Sequence, residues 1–131
     1  MRSVTAEGSA LKGQEIFNTV TRQQILNAVA EHLFKQGKKS ADDDSGLCRY
    51  RSKDGLKCAV GGLLTDEEYF PEMEGHIVWY IEYILPLRLV AHLELIRSCQ
   101  NIHDDFAVDE WPRELRKLAK RKGLEVPEGC Q

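Results

Sequence analysis

One helix has both of its ends written into this sequence, and the rest of the fold must be arranged around it. Thr21-Arg22-Gln23-Gln24 is a capping-box pattern: the Thr21 hydroxyl and the Gln24 side chain satisfy N–H groups that a first helical turn leaves unpaired, and Val20 can staple to Ile25. Ile25, Leu26, Val29, Leu33 and Phe34 then recur at helical spacing. Lys35 and Gly37 supply the cation and the left-handed residue that close a helix. These signals predict a helix over about 21–36.

Further elements follow from the same reasoning. Lys38 to Gly46 is a polar loop in which Asp42, Asp43 and Asp44 repel one another; it lacks the ligand spacing of a calcium loop. Thr65-Asp66-Glu67-Glu68 repeats the capping-box pattern, and Pro71 stops any helix there within a turn or two. His76 to Leu85 is apolar, aromatic and β-branched, so periodicity does not separate a buried helix from a strand; with no second strand of similar length to pair with, we expect a helix. Leu89, Val90, Leu93, Ile96 and Cys99 predict a long helix over 87–102, and Trp111, Leu115, Leu118 and Ala119 predict a last one from Glu110 to Lys122, ended by Gly123. Between the first helix and these lies a β-hairpin signal. Asp54-Gly55 separates Leu47–Arg51 from Leu56–Val60, and pairing Ser52 with Leu56 puts Cys48, Tyr50, Cys58 and Val60 on one apolar face. The expected fold is α+β, mainly α: about four helices packed with one β-hairpin. It comprises an N-terminal extension over 1–15, a single domain over 16–124 and a loose tail over 125–131.

With 131 residues and 42% of them apolar, the chain can bury a modest core. Its 18 Lys and Arg against 21 Asp and Glu, a net charge of −3, give no global field for nucleic acid or an acidic membrane. The longest apolar stretch, Ile77 to Val90, is broken by Glu82, Pro86 and Arg88 and is shorter than the roughly 20 residues that span a bilayer, so no membrane partner is expected. The first twenty residues hold no secretory h-region, which points to the cytoplasm. Four scattered cysteines, at 48, 58, 99 and 130, are expected as free thiols.

The block Cys48-x-Tyr50-Arg51-x-x-Asp54-Gly55-x-Lys57-Cys58-Ala59-Val60-Gly61-x-Leu63, followed by Asp66-Glu67-x-Tyr69 and Met73-Glu74-Gly75, resembles a family of small uncharacterised proteins of bacteriophages and prophages. Gln100-x-x-His103-Asp104 and the closing helix with Trp111 extend the resemblance, which covers residues 20–124. It implies a phage or prophage setting, with the host-cell cytoplasm as location. It implies no activity and carries over no functional residues.

Several constellations are candidates for chemistry. Cys99 and His103 stand four apart on a helix, so with Cys48 and Cys58 they could form a Cys₃His zinc site; intervals of 9 and 40 residues depart from the close cysteine pairs such sites use. His103-Asp104 is the dipeptide of metal-dependent phosphohydrolases, without further ligands at a matching spacing. No phosphate loop follows Gly61-Gly62. We therefore expect no catalytic residues, no metal and no cofactor. Arg49, Arg51, Lys53 and Lys57 are the candidate phosphate contacts of a nucleic-acid-binding alternative, joined by Arg113 to Lys122 on the last helix. Trp79, Tyr80 and Tyr83 are residue types enriched at binding hot spots and are the candidate contacts for a protein partner or a second copy of the chain. The expected function is that of a small accessory protein that binds another protein, such as a host enzyme or defence component.

Overall fold

The computed structural model describes residues 20–130; the expected N-terminal extension over 1–15 and the start of the domain at 16 lie outside them. Helix α1, Arg22–Gln36, has the ends read from its sequence. Thr21 Oγ1 accepts from Gln24 N at 3.0 Å, Gln24 Oε1 accepts from Thr21 N at 2.8 Å, and Gly37 closes the helix at φ 65°. Its stripe of Ile25, Leu26, Val29, Ala30 and Leu33 is buried.

The expected hairpin is not formed, and the fold is mostly α rather than α+β. Among the described residues the only strand-like pairings are two isolated antiparallel bridges, Arg51 with Lys57 and Ala41 with Cys48. The turn itself is tight: Ser52 N donates to Leu56 O at 2.9 Å and Gly55 sits at φ 84°. Beyond it one further ladder bond forms, from Cys58 N to Tyr50 O at 3.3 Å, and the pairing then stops as side chains bind the backbone on both sides of the turn. The N–H groups of Tyr50 and Arg51 donate to the Glu74 carboxylate, while Lys57 exchanges its N–H and C=O with the Gln36 side-chain amide. Val60 N donates to Gln100 Oε1. Past Cys58 the chain coils at once into a 3-10 turn, Gly61–Leu63, with Gly62 N donating to Cys58 O. Gly61 is required there because a Cβ would land on the Tyr50 carbonyl.

The segment expected as a buried helix is instead a 3-10 run, Val78–Ile84. Three residues per turn eclipse side chains at i and i+3. Val78 and Ile81 accordingly point inward, whereas Trp79, Tyr80 and Tyr83 are exposed. The long helix expected over 87–102 is interrupted. A short α2, Leu87–Val90, ends at Ala91, and α3, Leu93–Asp105, starts from His92, whose Nε2 meets Val20 O at 2.7 Å. After a 3-10 turn at Val108–Glu110, α4, Trp111–Lys122, buries Trp111, Leu115, Leu118 and Ala119 and ends at Gly123 (φ 69°). The segment expected as a loose tail lies against α1: Gln23 and the Glu125 backbone exchange two hydrogen bonds, and Val126 and Cys130 are buried. No helix among the described residues is long and apolar enough to cross a membrane.

Candidate functional site

Helix α3 carries two working faces. Its apolar stripe of Leu95, Ile96, Cys99 and Ile102 is buried, and the adjoining polar residues Arg97, Gln100, Asn101, Asp104 and Asp105 turn toward the loop around Cys48 and the 3-10 run. Between them lies a cavity of about 500 Å³. Leu47, Ile77 and Trp79 form its apolar side; Cys48, Tyr50 and Gln100 lie among its other lining residues.

Gln100 joins the cavity wall to the loop. Its Nε2 donates to Asp104 Oδ1 at 3.0 Å and to Cys48 Sγ at 3.1 Å, while its Oε1 accepts from Val60 N. Next to it, His103 is buried and stacked on Trp111 with ring centroids 5.5 Å apart. The Ser40 N–H donates to His103 Nε2 at 2.9 Å, so that nitrogen presents its lone pair and the ring proton resides on Nδ1, donated to Asp104 Oδ1 at 2.8 Å.

This arrangement decides what the cluster can do. Donor atoms of Cys48, His103 and Asp104 lie within 4.8 Å of one another, the spacing of a possible metal-binding group. Both ring nitrogens of His103 are committed, however, one to a backbone N–H and the other to Asp104, so neither offers a lone pair to a cation or serves as a base toward Cys48. Cys99 is buried and does not belong to this group, so the Cys48, Cys58, Cys99 and His103 set does not converge as the zinc reading requires. A side-chain hydrogen bond with Cys58 in which the Cys48 thiol keeps its proton, followed by burial, pushes that thiol well above its ordinary range, which disfavours the nucleophilic thiolate. Burial opposes ionisation of Asp104, but the His103 hydrogen bond and its neighbours outweigh it and hold the carboxyl below its usual range. Burial also opposes a charge on His103, and the hydrogen bond to Asp104, with the nearby Cys48 sulfur adding to it, overcomes that and raises the ring. Protonation would occur at Nε2, at the expense of the Ser40 bond.

The candidate phosphate contacts do not form an open basic face. Arg51 donates to Asp66 Oδ1 at 2.6 Å and to Leu64 O at 2.9 Å, and its guanidinium lies 5.0 Å from the Tyr69 ring centre. Arg49 stands 3.8 Å from Glu74, Lys53 is exposed at the turn, and Lys57 is half-buried. Of the candidate partner contacts, Trp79 lies at the cavity under the Arg97 guanidinium, 5.7 Å from its ring centre, and Tyr80 and Tyr83 continue outward from it.

Sequence reasoning missed the cavity residues Leu47, Arg97, Gln100, Asn101 and Asp105. The signal for the last four was the polar stripe at 97, 100, 101, 104 and 105 alongside the apolar one on the same helix. Protein-family models, curated proteins and solved structures offer no match to this chain.

Proposed function

We propose that this is a phage-type accessory protein that acts by binding another protein, with the ridge from Ile77 to Leu87 as its docking surface. One observation carries this reading. Within these eleven residues five large side chains stand open: Ile77 61%, Trp79 41%, Tyr80 70%, Tyr83 80% and Leu87 69% exposed. Contiguous exposed apolar surface marks interaction sites, and aromatic residues bury large areas while keeping a polar handle. The inward residues Val78 and Ile81 anchor the run to the core, so the outward ones are held in place before a partner arrives. The phage setting implied by the sequence resemblance supports a host protein as the target. The engagement of Arg51 with Asp66, Leu64 and Tyr69 weighs against the nucleic-acid alternative.

The test is affinity capture from host cells with the unmodified chain and with Tyr80→Glu and Tyr83→Glu, followed by titration of each captured protein after purification. Binding that weakens about ten-fold or more in the folded variants supports the reading. Binding indifferent to both substitutions, or no protein bound and a monomer by light scattering, overturns it.

A further inference from the structure

The cavity beside the ridge has a polarity of its own. Arg97 stands at one end, over Trp79, and Asp104 and Asp105 stand at the other, next to Cys48. Among the described residues neither Arg97 nor Asp105 forms an ion pair within 4 Å, although Glu94 feels the Arg97 charge and Lys39 Nζ donates to the Asp104 carbonyl at 3.2 Å. The span from residue 97 to residue 105 along α3 is about 12 Å at 1.5 Å per residue. Facing this bipolar helix stripe is the apolar set Leu47, Ile77 and Trp79, of which Ile77 and Trp79 also belong to the ridge.

We infer that the cavity receives an extended segment of the partner protein in which an acidic and a basic residue lie four apart with a large apolar residue midway between them. The inference rests on the protein-binding reading and names the chemistry of the partner. In an extended chain residues i, i+2 and i+4 share one face, and i to i+4 spans about 13 Å, matching the helix stripe. The acidic group meets Arg97, the basic group meets Asp105, since Asp104 Oδ1 is held by His103 and Gln100, and the central side chain enters between Leu47, Ile77 and Trp79. Charge complementarity of this kind fixes register and rejects partners whose like charges would be juxtaposed. A volume of about 500 Å³ accommodates the central side chain with the flanking backbone.

Four capped peptides test this directly: Ser-Glu-Ser-Leu-Ser-Lys-Ser, the same with Glu and Lys exchanged, and the forms with two Glu or two Lys. Each is titrated into isotope-labelled full-length protein, following the amide resonances of 97–105 and the Trp79 indole. One of the two bipolar peptides is expected to bind about ten-fold tighter than either like-charged one, since like charges facing each other are penalised. In Arg97→Glu, an exposed position, the preference should move to the two-Lys peptide. The inference is overturned if none of the peptides shifts those resonances at millimolar concentration, if the two-Lys peptide already binds the unmodified chain best, or if Arg97→Glu leaves the ranking unchanged. If the peptides fail while Tyr83→Glu still abolishes partner capture, the cavity inference falls and the ridge reading stands. If the peptides bind as expected and neither Tyr80→Glu nor Tyr83→Glu affects capture, the ridge reading falls instead.

Discussion

The Glu74 carboxylate receives the backbone N–H of Tyr50 at 2.9 Å on one oxygen, and on the other that of the following residue, Arg51, at 3.0 Å. The second oxygen also accepts from the Tyr69 hydroxyl at 2.7 Å, which, after burial, helps to push that phenol up to about 12. A side chain from a later loop thus occupies the Tyr50 N–H, which in a continued hairpin would have faced the Cys58 carbonyl, together with the outward N–H of the next residue. Glu74→Ala leaves two N–H groups in a half-buried site without an acceptor, a loss of about 2–5 kcal/mol by the cost of unsatisfied donors. Urea denaturation followed by circular dichroism measures it, and an unchanged midpoint would refute the role given to Glu74.

The adjacent glycines separate two kinds of close approach. A Cβ at Gly61 meets the Tyr50 backbone carbonyl, which cannot move without displacing the loop, whereas one at Gly62 meets the His32 ring at 2.5 Å. That ring can swing away at the expense of its hydrogen bond to Lys57 O. Gly61→Ala is therefore expected to destabilise the chain by about 2–4 kcal/mol and Gly62→Ala by less, as overpacking costs rise with the rigidity of the neighbour. Thermal melts of the two variants check the order.

What could be read from the sequence divides by distance along the chain. The caps of α1 are contacts between Thr21 and Gln24 and a glycine at the end, all within one helix, and the sequence patterns that specify them are local. The turn at Gly55 is local too. The bonds that hold the two segments beside that turn are not: Glu74 reaches back 24 residues to Tyr50, Gln36 forward 21 to Lys57, and Gln100 back 40 to Val60. Each is a polar side chain taking a backbone group, an alternative to secondary structure that no periodicity reports. The break before α3 has the same character, since His92 is held by the Val20 carbonyl 72 residues away. The cavity inherits this difficulty because its walls come from Leu47, Trp79 and α3, and only the tertiary fold brings them together.

Acid should act through the Glu68–Arg88 pair. Arg88 donates to both Glu68 oxygens, at 2.5 and 2.7 Å, and also to Leu63 O at 2.8 Å. Burial opposes ionisation of Glu68, but the Arg88 hydrogen bonds prevail and lower it from its ordinary 4.5. A carboxylate with a depressed folded-state pKa contributes stability that is present above 4.5 and lost as pH falls through the folded value. Melting temperature should thus decline below that point, and Glu68→Gln should decline less steeply while starting lower at neutral pH. Parallel slopes for the two proteins would show that this pair does not contribute to the acid response.

Cysteine chemistry gives an independent check on the cluster around His103. Cys48 is half-buried with its thiol raised, Cys99 is fully buried and raised to about 12, and Cys58 and Cys130 are buried. Since the thiolate is the reactive form, alkylation of the native protein at pH 7 should be far slower than that of a free cysteine, with all four thiols appearing on denaturation. Rapid labelling of Cys48, followed by mass spectrometry, would instead show that its proton is easily lost.

The 3-10 run offers the sharpest separation of core from surface. Its neighbours in sequence point opposite ways: Ile81 is 2% exposed and Tyr80 is 70% exposed, with Tyr83 more open still. Ile81→Glu buries a charge without a partner and should unfold the domain or lower its stability by about 4 kcal/mol or more. Tyr80→Glu and Tyr83→Glu face water and should leave stability within about 0.5 kcal/mol, the range of ordinary surface substitutions. Denaturation midpoints of the three variants decide the matter before any partner is known. If Tyr80→Glu and Tyr83→Glu destabilise as Ile81→Glu does, the ridge is part of the core and cannot serve as a docking surface. If they are neutral, the aromatic side chains are available to a partner without cost to the fold, and the binding measurements on the same two variants then report the interface alone.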